Sequence, residues 1–293
     1  MKYRVTHSTR YGYGEAIPLS HNVVRMKPRE HETQTCLQYQ LLVLPAPTVR
    51  NEGFDYFGNH VTWFSLQEPH TVLRIAAHSE VQVLPAGPYD LERGITWEDA
   101  LQVLGLSPDR EALAAREYVF ESPHVPWSAE LANFARPSFP ARRPYLACLM
   151  DLTQRIHTGF NFLAGSTAID TSVEEVFHSH QGVCQDFAHL QICCLRSLGF
   201  SARYVSGYLV TAPPPGKEKL AGADVSHAWI SAYVPGVGWV DFDPTNGMMP
   251  SDAHITLARG RDYDDVGPSR GILLGGRRHW MDVSVDVAPV EPA

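Results

Sequence analysis

The segment from Gln181 to Leu190 constrains the fold most, because it combines small residues, a cysteine and the start of an apolar helical pattern. Gly182 and Val183 lead into Cys184, and apolar residues then recur at helical spacing as far as Gly199, a residue typical of a helix C-terminus. The pattern therefore predicts a helix that carries Cys184 in its first turn.

A cysteine in this position is suited to nucleophilic catalysis. Unpaired backbone NH groups and the positive end of the helix dipole stabilise a thiolate relative to a thiol. Free thiols have a pKa of about 8.5, and helix N-termini or a nearby imidazolium lower it. The same NH groups can stabilise the oxyanion that forms when a thiolate attacks a carbonyl. The alternative interpretation of Cys184 is a small buried hydrophobic residue.

A predicted β-hairpin downstream supplies the partners that such a thiol needs. Residues 226–234 and 239–243 have strand composition, and a Pro-Gly turn cluster separates them. His227 and Asp243 are sixteen residues apart, so a hairpin centred on Pro235 brings their Cβ atoms to roughly 5 Å of one another. A turn centred one residue later would require a bulge or a diagonal contact instead.

Together these residues form a predicted Cys-His-Asp triad. In such a triad His227 takes the proton of the Cys184 thiol and later protonates the leaving group, while Asp243 fixes the histidine tautomer and supports the imidazolium. Three further residues are candidates for an oxyanion donor or for the lining of a substrate cleft: Gln181, Trp229 and Tyr208. For the oxyanion, the backbone NH of Cys184 is the preferred donor over the Gln181 side chain.

Five motifs, GVCQDFAH, ARYVSGY, SHAW, GWVDFDPTN and GRDYDDV, occur in this order. At this spacing the chain resembles the bacterial transglutaminase-like family of cysteine proteases. The resemblance covers roughly residues 145–275, and the first third of the chain is similar to the β-rich N-terminal region of that family. It implies a papain-like core in which Cys184 is the nucleophile, His227 the base and Asp243 the orienting acid.

The fold class that we expect is α+β in two domains, residues 1–86 and 87–293. Five short runs rich in β-branched and aromatic residues in the first domain predict an antiparallel sandwich or barrel-like sheet. After a linker with Gly and Pro, helical patterns are predicted near residues 97–104, 108–120, 128–135, 144–157 and 173–177, and an edge strand near 280–287. A polar, proline-rich loop is predicted at 212–219.

Composition narrows the classes of partner. A net charge of -8 provides no basic surface, so we expect no nucleic-acid partner. The opening residues resemble no signal peptide and no apolar run approaches about 18 residues, so we expect a cytoplasmic protein without a membrane partner. Five cysteines without a secreted framework fit reduced thiols. The oligomeric state is left open.

These features favour an acyl-transfer enzyme that acts on a peptide or protein substrate through a thioester. Hydrolysis of amide bonds is the first expectation, and transfer to a primary amine is the alternative. A peptide-binding module without turnover and a zinc hydrolase are the other readings. Zinc is disfavoured because histidines and cysteines occur without the usual ligand spacing, so no metal or cofactor is expected.

Overall fold

The N-terminal region forms strands that alternate between buried and exposed residues. The computed structural model describes residues 1–210, 226–275 and 278–290. In the long first and sixth strands nearly every second side chain is buried, as a sheet with one covered face requires. The strands of this region are β1 (Lys2–Ile17), β2 (Leu19–Val24), β3 (Gln34–Leu44), β4 (Val49–Phe54), β5 (His60–Leu66) and β6 (His70–Val83).

The second part of the chain combines helices with a second set of strands. Its helices are α1 (Trp97–Leu106), α2 (Arg110–Arg116), α3 (Ala129–Ala135), α4 (Tyr145–Gly159), α5 (Val173–Ser179), α6 (Cys184–Ser197) and α7 (Tyr263–Val266). Its strands are β7 (Asn161–Phe162), β8 (Gln181–Gly182), β9 (Ala202–Leu209), β10 (Ser226–Val234), β11 (Gly238–Phe242) and β12 (His254–Gly260), and the chain ends in β13 (Ser269–Leu274) and β14 (His279–Pro289).

The core sheet is antiparallel, in the order β11-β10-β9-β12. Helix α6 packs against β9 and β10, and its residues from 186 to 196 are all buried. Helices α3, α4 and α5 cover other sides of α6. Together with the strand-rich N-terminal region, this arrangement confirms the expected α+β class.

The N-terminal strands and the two C-terminal strands form two four-stranded antiparallel sheets, in the orders β14-β1-β6-β3 and β13-β2-β5-β4. An apolar cluster between them takes residues from both sheets: Tyr13, Ile17, Leu41, Val43, Leu73, Ile75 and Ala77 from the first, and Val24, Phe64 and Leu66 from the second. The prediction of an antiparallel sandwich is therefore confirmed.

The predicted division at residue 86 is wrong for the end of the chain. Strand β13 pairs with β2, and β14 pairs with β1 along eleven residue pairs from Tyr3↔Pro289 to Tyr13↔His279. The C-terminal segment thus completes the N-terminal sandwich. Strand β14 does lie at a sheet edge, as its alternating pattern predicted.

Local predictions failed where the sequence carries little periodic signal. Strand β4 has almost no buried residue, so its segment VRNEGF lacks the apolar alternation that marks a strand. Helix α2 begins at Arg110 because the Asp109 side chain caps it, two residues later than the expected start at Pro108. The proline-rich loop predicted at 212–219 lies outside the described residues.

Among the helices that the structure describes, none is long and apolar enough to cross a membrane.

Candidate active site

Cys184 is the first residue of α6, as predicted, and the structure fixes the helix start tightly. Asp186 accepts hydrogen bonds from the Val183 backbone NH at 2.7 Å and from the Thr167 hydroxyl at 2.6 Å. A Cβ atom at Gly182 would lie 2.9 Å from Cβ of Asp186, so the chain needs a glycine there. Cys184 itself is partly exposed, which leaves its thiol accessible at the positive end of the helix.

The hairpin that carries the other two triad residues is centred on Gly236, and the predicted centre at Pro235 is wrong by one residue. Ile230 lies opposite Phe242 in this register, so Asp243 continues opposite Trp229. His227 and Asp243 then lie on one face of the hairpin and meet diagonally. This is the diagonal contact that a turn centred one residue later requires.

The diagonal contact is a short hydrogen bond between two buried side chains. His227 Nε2 lies 2.7 Å from Oδ2 of Asp243. The same oxygen accepts from Nε2 of His254 at 3.0 Å and from Nδ2 of Asn246 at 2.7 Å. Backbone NH groups of Thr245 and Asn246 donate to Oδ1. Burial alone would raise the pKa of Asp243, but the hydrogen bonds from the two histidines outweigh it and hold that pKa well below its usual value.

His227 connects this carboxylate to the thiol. Because Nε2 faces Asp243, the other ring nitrogen is left for Cys184, whose side chain is close enough to affect the pKa of His227. Burial lowers the pKa of His227, but the hydrogen bonds to Asp243 and to Cys184 raise it to about 9. The imidazole therefore holds a proton at neutral pH, beside a thiol that it would keep ionised.

His254 is a member of the site that sequence reasoning missed. It lies on β12, which pairs with β9 and is separated from β11 by two strands. Its contact with Asp243 depends on this long-range pairing, so no local spacing in the sequence could predict it. His227, Asp243 and His254 form a cluster of metal-ligating side chains. Both histidines donate directly to Oδ2, and these bonds account for the close approach without an ion.

Trp229 is fully buried behind the triad. Its ring centroid lies 6.0 Å from that of His227 and 5.3 Å from that of His254, and its indole NH donates to Asp241 at 3.0 Å. Trp229 therefore supports the two histidines. It shields the Cys184-His227 pair from water, which is a different role from contacting a substrate in the cleft. Gly207 has no room for a side chain, because the Trp229 ring and the backbone oxygen of Ile255 occupy the space that a Cβ would need.

The expectation that Tyr208 lines a substrate cleft is wrong. Its side chain is buried, and its hydroxyl is hydrogen-bonded at 2.8 Å to Nδ1 of His7 on β1. Tyr208 thus joins the core sheet to the N-terminal sandwich. Gln181, in contrast, is exposed three residues before Cys184, where β8 pairs in parallel with β7.

The other histidines near the Cys184 helix face different partners. His189 is buried and accepts from the backbone NH of Tyr263, while His178 and His180 each bond a backbone carbonyl through Nδ1. Burial, followed by repulsion from His124, lowers the pKa of His189 to about 3. These side chains do not converge with Cys184 on a common point.

Comparison with known proteins extends the resemblance to the whole chain. Residues 3–82 match the family described as the bacterial transglutaminase-like N-terminal region, and residues 140–244 match the transglutaminase-like superfamily. An uncharacterized protein of Mycobacterium tuberculosis H37Rv is 40% identical over 298 residues, which cover 99% of this chain and 93% of the relative.

Two further comparisons have more limited reach. A protein-glutamine gamma-glutamyltransferase of Pseudomonas aeruginosa is 26% identical over 126 residues, or 43% of this chain and 19% of that protein. The crystal structure of a proposed cysteine protease from Cytophaga hutchinsonii superposes with a TM-score of 0.77 at 22% identity, covering 100% of this chain and 92% of that one. At 22% identity, the match to the Cytophaga hutchinsonii structure shows that the two proteins share a fold.

Proposed function

The chain belongs to the transglutaminase-like superfamily, and from this premise we propose that it is an enzyme that transfers acyl groups through a thioester on Cys184. The Cys184 thiolate attacks an amide carbonyl and forms a C–S bond. His227 then donates its proton to the departing amine as the C–N bond breaks. In the second half, His227 removes a proton from the incoming nucleophile, which displaces the sulfur and releases the acyl group.

The observation that carries this proposal is the short hydrogen bond between the buried side chains of Asp243 and His227, together with a Cys184 side chain that lies near enough to raise the pKa of His227. An imidazole whose pKa is raised to about 9 is protonated at pH 7, so it can stabilise a thiolate and can act as the general acid. Asp243 accepts five hydrogen bonds and remains ionised, which keeps the histidine ring in one orientation.

The oxyanion of the tetrahedral intermediate needs donors close to Cys184. The first amide groups of any helix have no intrahelical acceptor, so the NH of Cys184 at the start of α6 is available for this role. Gln181 is exposed just before the helix and remains a candidate for the second donor.

We propose water as the usual second nucleophile, which makes the reaction a hydrolysis of peptide or side-chain amide bonds. Transfer to a primary amine is the second candidate, favoured by the partial match to a protein-glutamine gamma-glutamyltransferase. Both reactions share every step up to the thioester, so the chemistry of the triad does not distinguish them. The choice depends on how far the cleft excludes water. We propose a peptide or protein substrate, and a cytoplasmic location in keeping with five free cysteines.

The test is the pH dependence of Cys184 alkylation by iodoacetamide, followed by mass spectrometry in the wild type and in His227→Ala. The chain provides its own reference thiol, because Cys36 is half-buried and burial raises its pKa. We expect Cys184 to react well below the ordinary thiol pKa of about 8.5, while Cys36 reacts only above it. His178→Ala, which removes an exposed histidine, is the matched control.

The proposal gains support if His227→Ala suppresses the low-pH labelling and His178→Ala does not. Labelling that begins only near pH 8.5 and is the same in the wild type and in His227→Ala would instead indicate an ordinary thiol or a binding module. If the thiol is activated, incubation of a glutamine-rich protein with and without a fluorescent primary amine separates the two reactions. Ammonia is released in both reactions, so new peptide fragments or the conversion of glutamine to glutamate indicates hydrolysis, and incorporated fluorescence indicates transfer.

A further inference from the structure

A cavity of about 610 Å³ lies behind the triad, between the core sheet and the N-terminal region. Its walls come from residues 31–33, from the segment that follows β6, from α2 and from the strands β9 to β12. Trp229 and His254 line it, whereas Cys184, His227 and Asp243 do not. A volume of this size suits a small organic molecule.

The floor of the cavity is a polar row across three neighbouring strands. Ser231 on β10 pairs with Arg203 on β9 and with Asp241 on β11, so the three side chains lie side by side on one face. The Arg203 guanidinium stacks on the Trp239 ring, with 4.0 Å between its carbon and the ring centroid. Arg203 is only 8% exposed.

Several buried polar atoms around this floor have no hydrogen-bond partner among the described residues. They are Nε of Arg203, Nε of Arg259, Nε2 of His31 and the Ser231 hydroxyl. Within residues 1–210, 226–275 and 278–290, neither Arg203 nor Arg259 has an ion-pair partner within 4.0 Å. Asp241 instead accepts the indole NH of Trp229.

Buried positive charge without a partner is costly, and protein interiors rarely retain it without use. Burial and repulsion from Arg259 hold the pKa of Arg203 well below its usual value. Burial and the same arginine lower the pKa of His31 to about 4. The acidic residues Glu32 and Glu111 also line the cavity, but they are exposed and so lie toward its rim.

We propose that this cavity binds a small organic oxyanion, whose anionic group is held by Arg203 and Arg259 and whose apolar part packs against Trp239. A guanidinium offers parallel NH donors that match a carboxylate or a phosphate, and a stacked guanidinium is already oriented for them. The exposed acidic rim disfavours ligands with several negative charges. This site is separate from the triad, and its existence does not depend on acyl transfer.

The probes are phenylacetate and diethyl phosphate, which each carry one negative charge beside an apolar group, titrated by calorimetry at constant ionic strength with sodium chloride as the balancing salt. We expect saturable one-site binding of at least one probe. Arg203→Met and Arg259→Met should each raise Kd at least tenfold, since each removes a charge-assisted hydrogen bond. Arg74→Met, which changes an exposed arginine on β6, and Cys184→Ala should leave Kd unchanged.

The two probes distinguish the source of the oxyanion, because binding of phenylacetate alone indicates a carboxylate and binding of diethyl phosphate alone indicates a phosphoryl group. If Arg203→Met does not fold, Arg259→Gln, which alters a partly exposed residue, provides the same measurement. The absence of saturable binding of both probes at millimolar concentration would overturn the proposal. Binding that persists equally in both arginine variants would overturn it as well.

Discussion

Replacing Asp243 by asparagine tests the centre of the proposed relay, because asparagine keeps the shape of the side chain and changes its hydrogen bonding. Oδ2 of Asp243 accepts from three side chains, and Oδ1 accepts from two backbone NH groups. An amide has one acceptor oxygen and one NH2 group. Whichever way it faces, at least two of the five donors lose their acceptor.

The structure sets the size of the effect. Each buried donor that is left without an acceptor costs about 1–3 kcal/mol, so the substitution should lower the free energy of unfolding by about 2–6 kcal/mol. The pKa of His227, raised from 6.5 to about 9, would also fall. At 1.36 kcal/mol per unit this shift corresponds to about 3 kcal/mol, an upper limit because Cys184 contributes to it. Loss of most of it would leave the imidazole largely neutral at about pH 7.5, where the wild-type ring is protonated, so the thiolate-imidazolium pair would fall by up to about tenfold at that pH.

Two measurements check this prediction in Asp243→Asn. Urea unfolding should show the loss of stability, and the rate of Cys184 alkylation should fall by up to about tenfold at about pH 7.5 but little at about pH 10. Asp241→Asn is the matched control, since its amide oxygen can still accept from Trp229 and the relay is intact. If Asp243→Asn alkylates at the wild-type rate at about pH 7.5 while folded, Asp243 does not control the protonation of His227 and the reasoning is refuted.

Three further predictions concern the surroundings of the triad. Gly207→Ala should destabilise the protein by about 1–3 kcal/mol in urea unfolding, because its Cβ would lie 2.4 Å from the Trp229 ring; unchanged stability would show that the ring has room to move. Tyr208→Phe should cost about 1–2 kcal/mol by removing the hydroxyl that bonds His7, yet leave Cys184 alkylation unaltered; a slower alkylation would return Tyr208 to the active site. The folded-state pKa of His227 is above its unfolded value, so its contribution to stability is complete below about pH 6.5 and is lost as the pH rises through about 9. Urea midpoints of the wild type and of His227→Gln should therefore converge between pH 7 and 10, and a constant difference would contradict the raised pKa.

The sequence predicts what depends on neighbours along the chain. The start of α6 at Cys184 follows from local periodicity and small residues, and the two strands of the β10–β11 hairpin follow from their composition. The one-residue error in the hairpin centre arises because Pro235 and Gly236 both suit a turn. The folded chain centres the turn on Gly236, which has a positive φ of 81°, and the sequence alone does not reveal that angle. Pairings between distant strands leave no such local trace. That is why His254 and the return of β13 and β14 to the N-terminal sheets were missed.

The same long-range pairing explains why the site needs the N-terminal region. Strand β12 lies at the edge of the core sheet, and edge strands leave backbone groups unpaired. Gln34 fills this need by donating to the backbone oxygen of Thr256 at 2.8 Å and accepting from its NH at 2.7 Å. Asn59 makes the same pair of bonds with Arg259, at 2.8 Å each. These two amides fix the strand that carries His254 against Asp243, and they hold Arg259 at the cavity. Through strand β12, the N-terminal sandwich thus positions both the proposed triad and the cavity for which we propose a small anionic ligand.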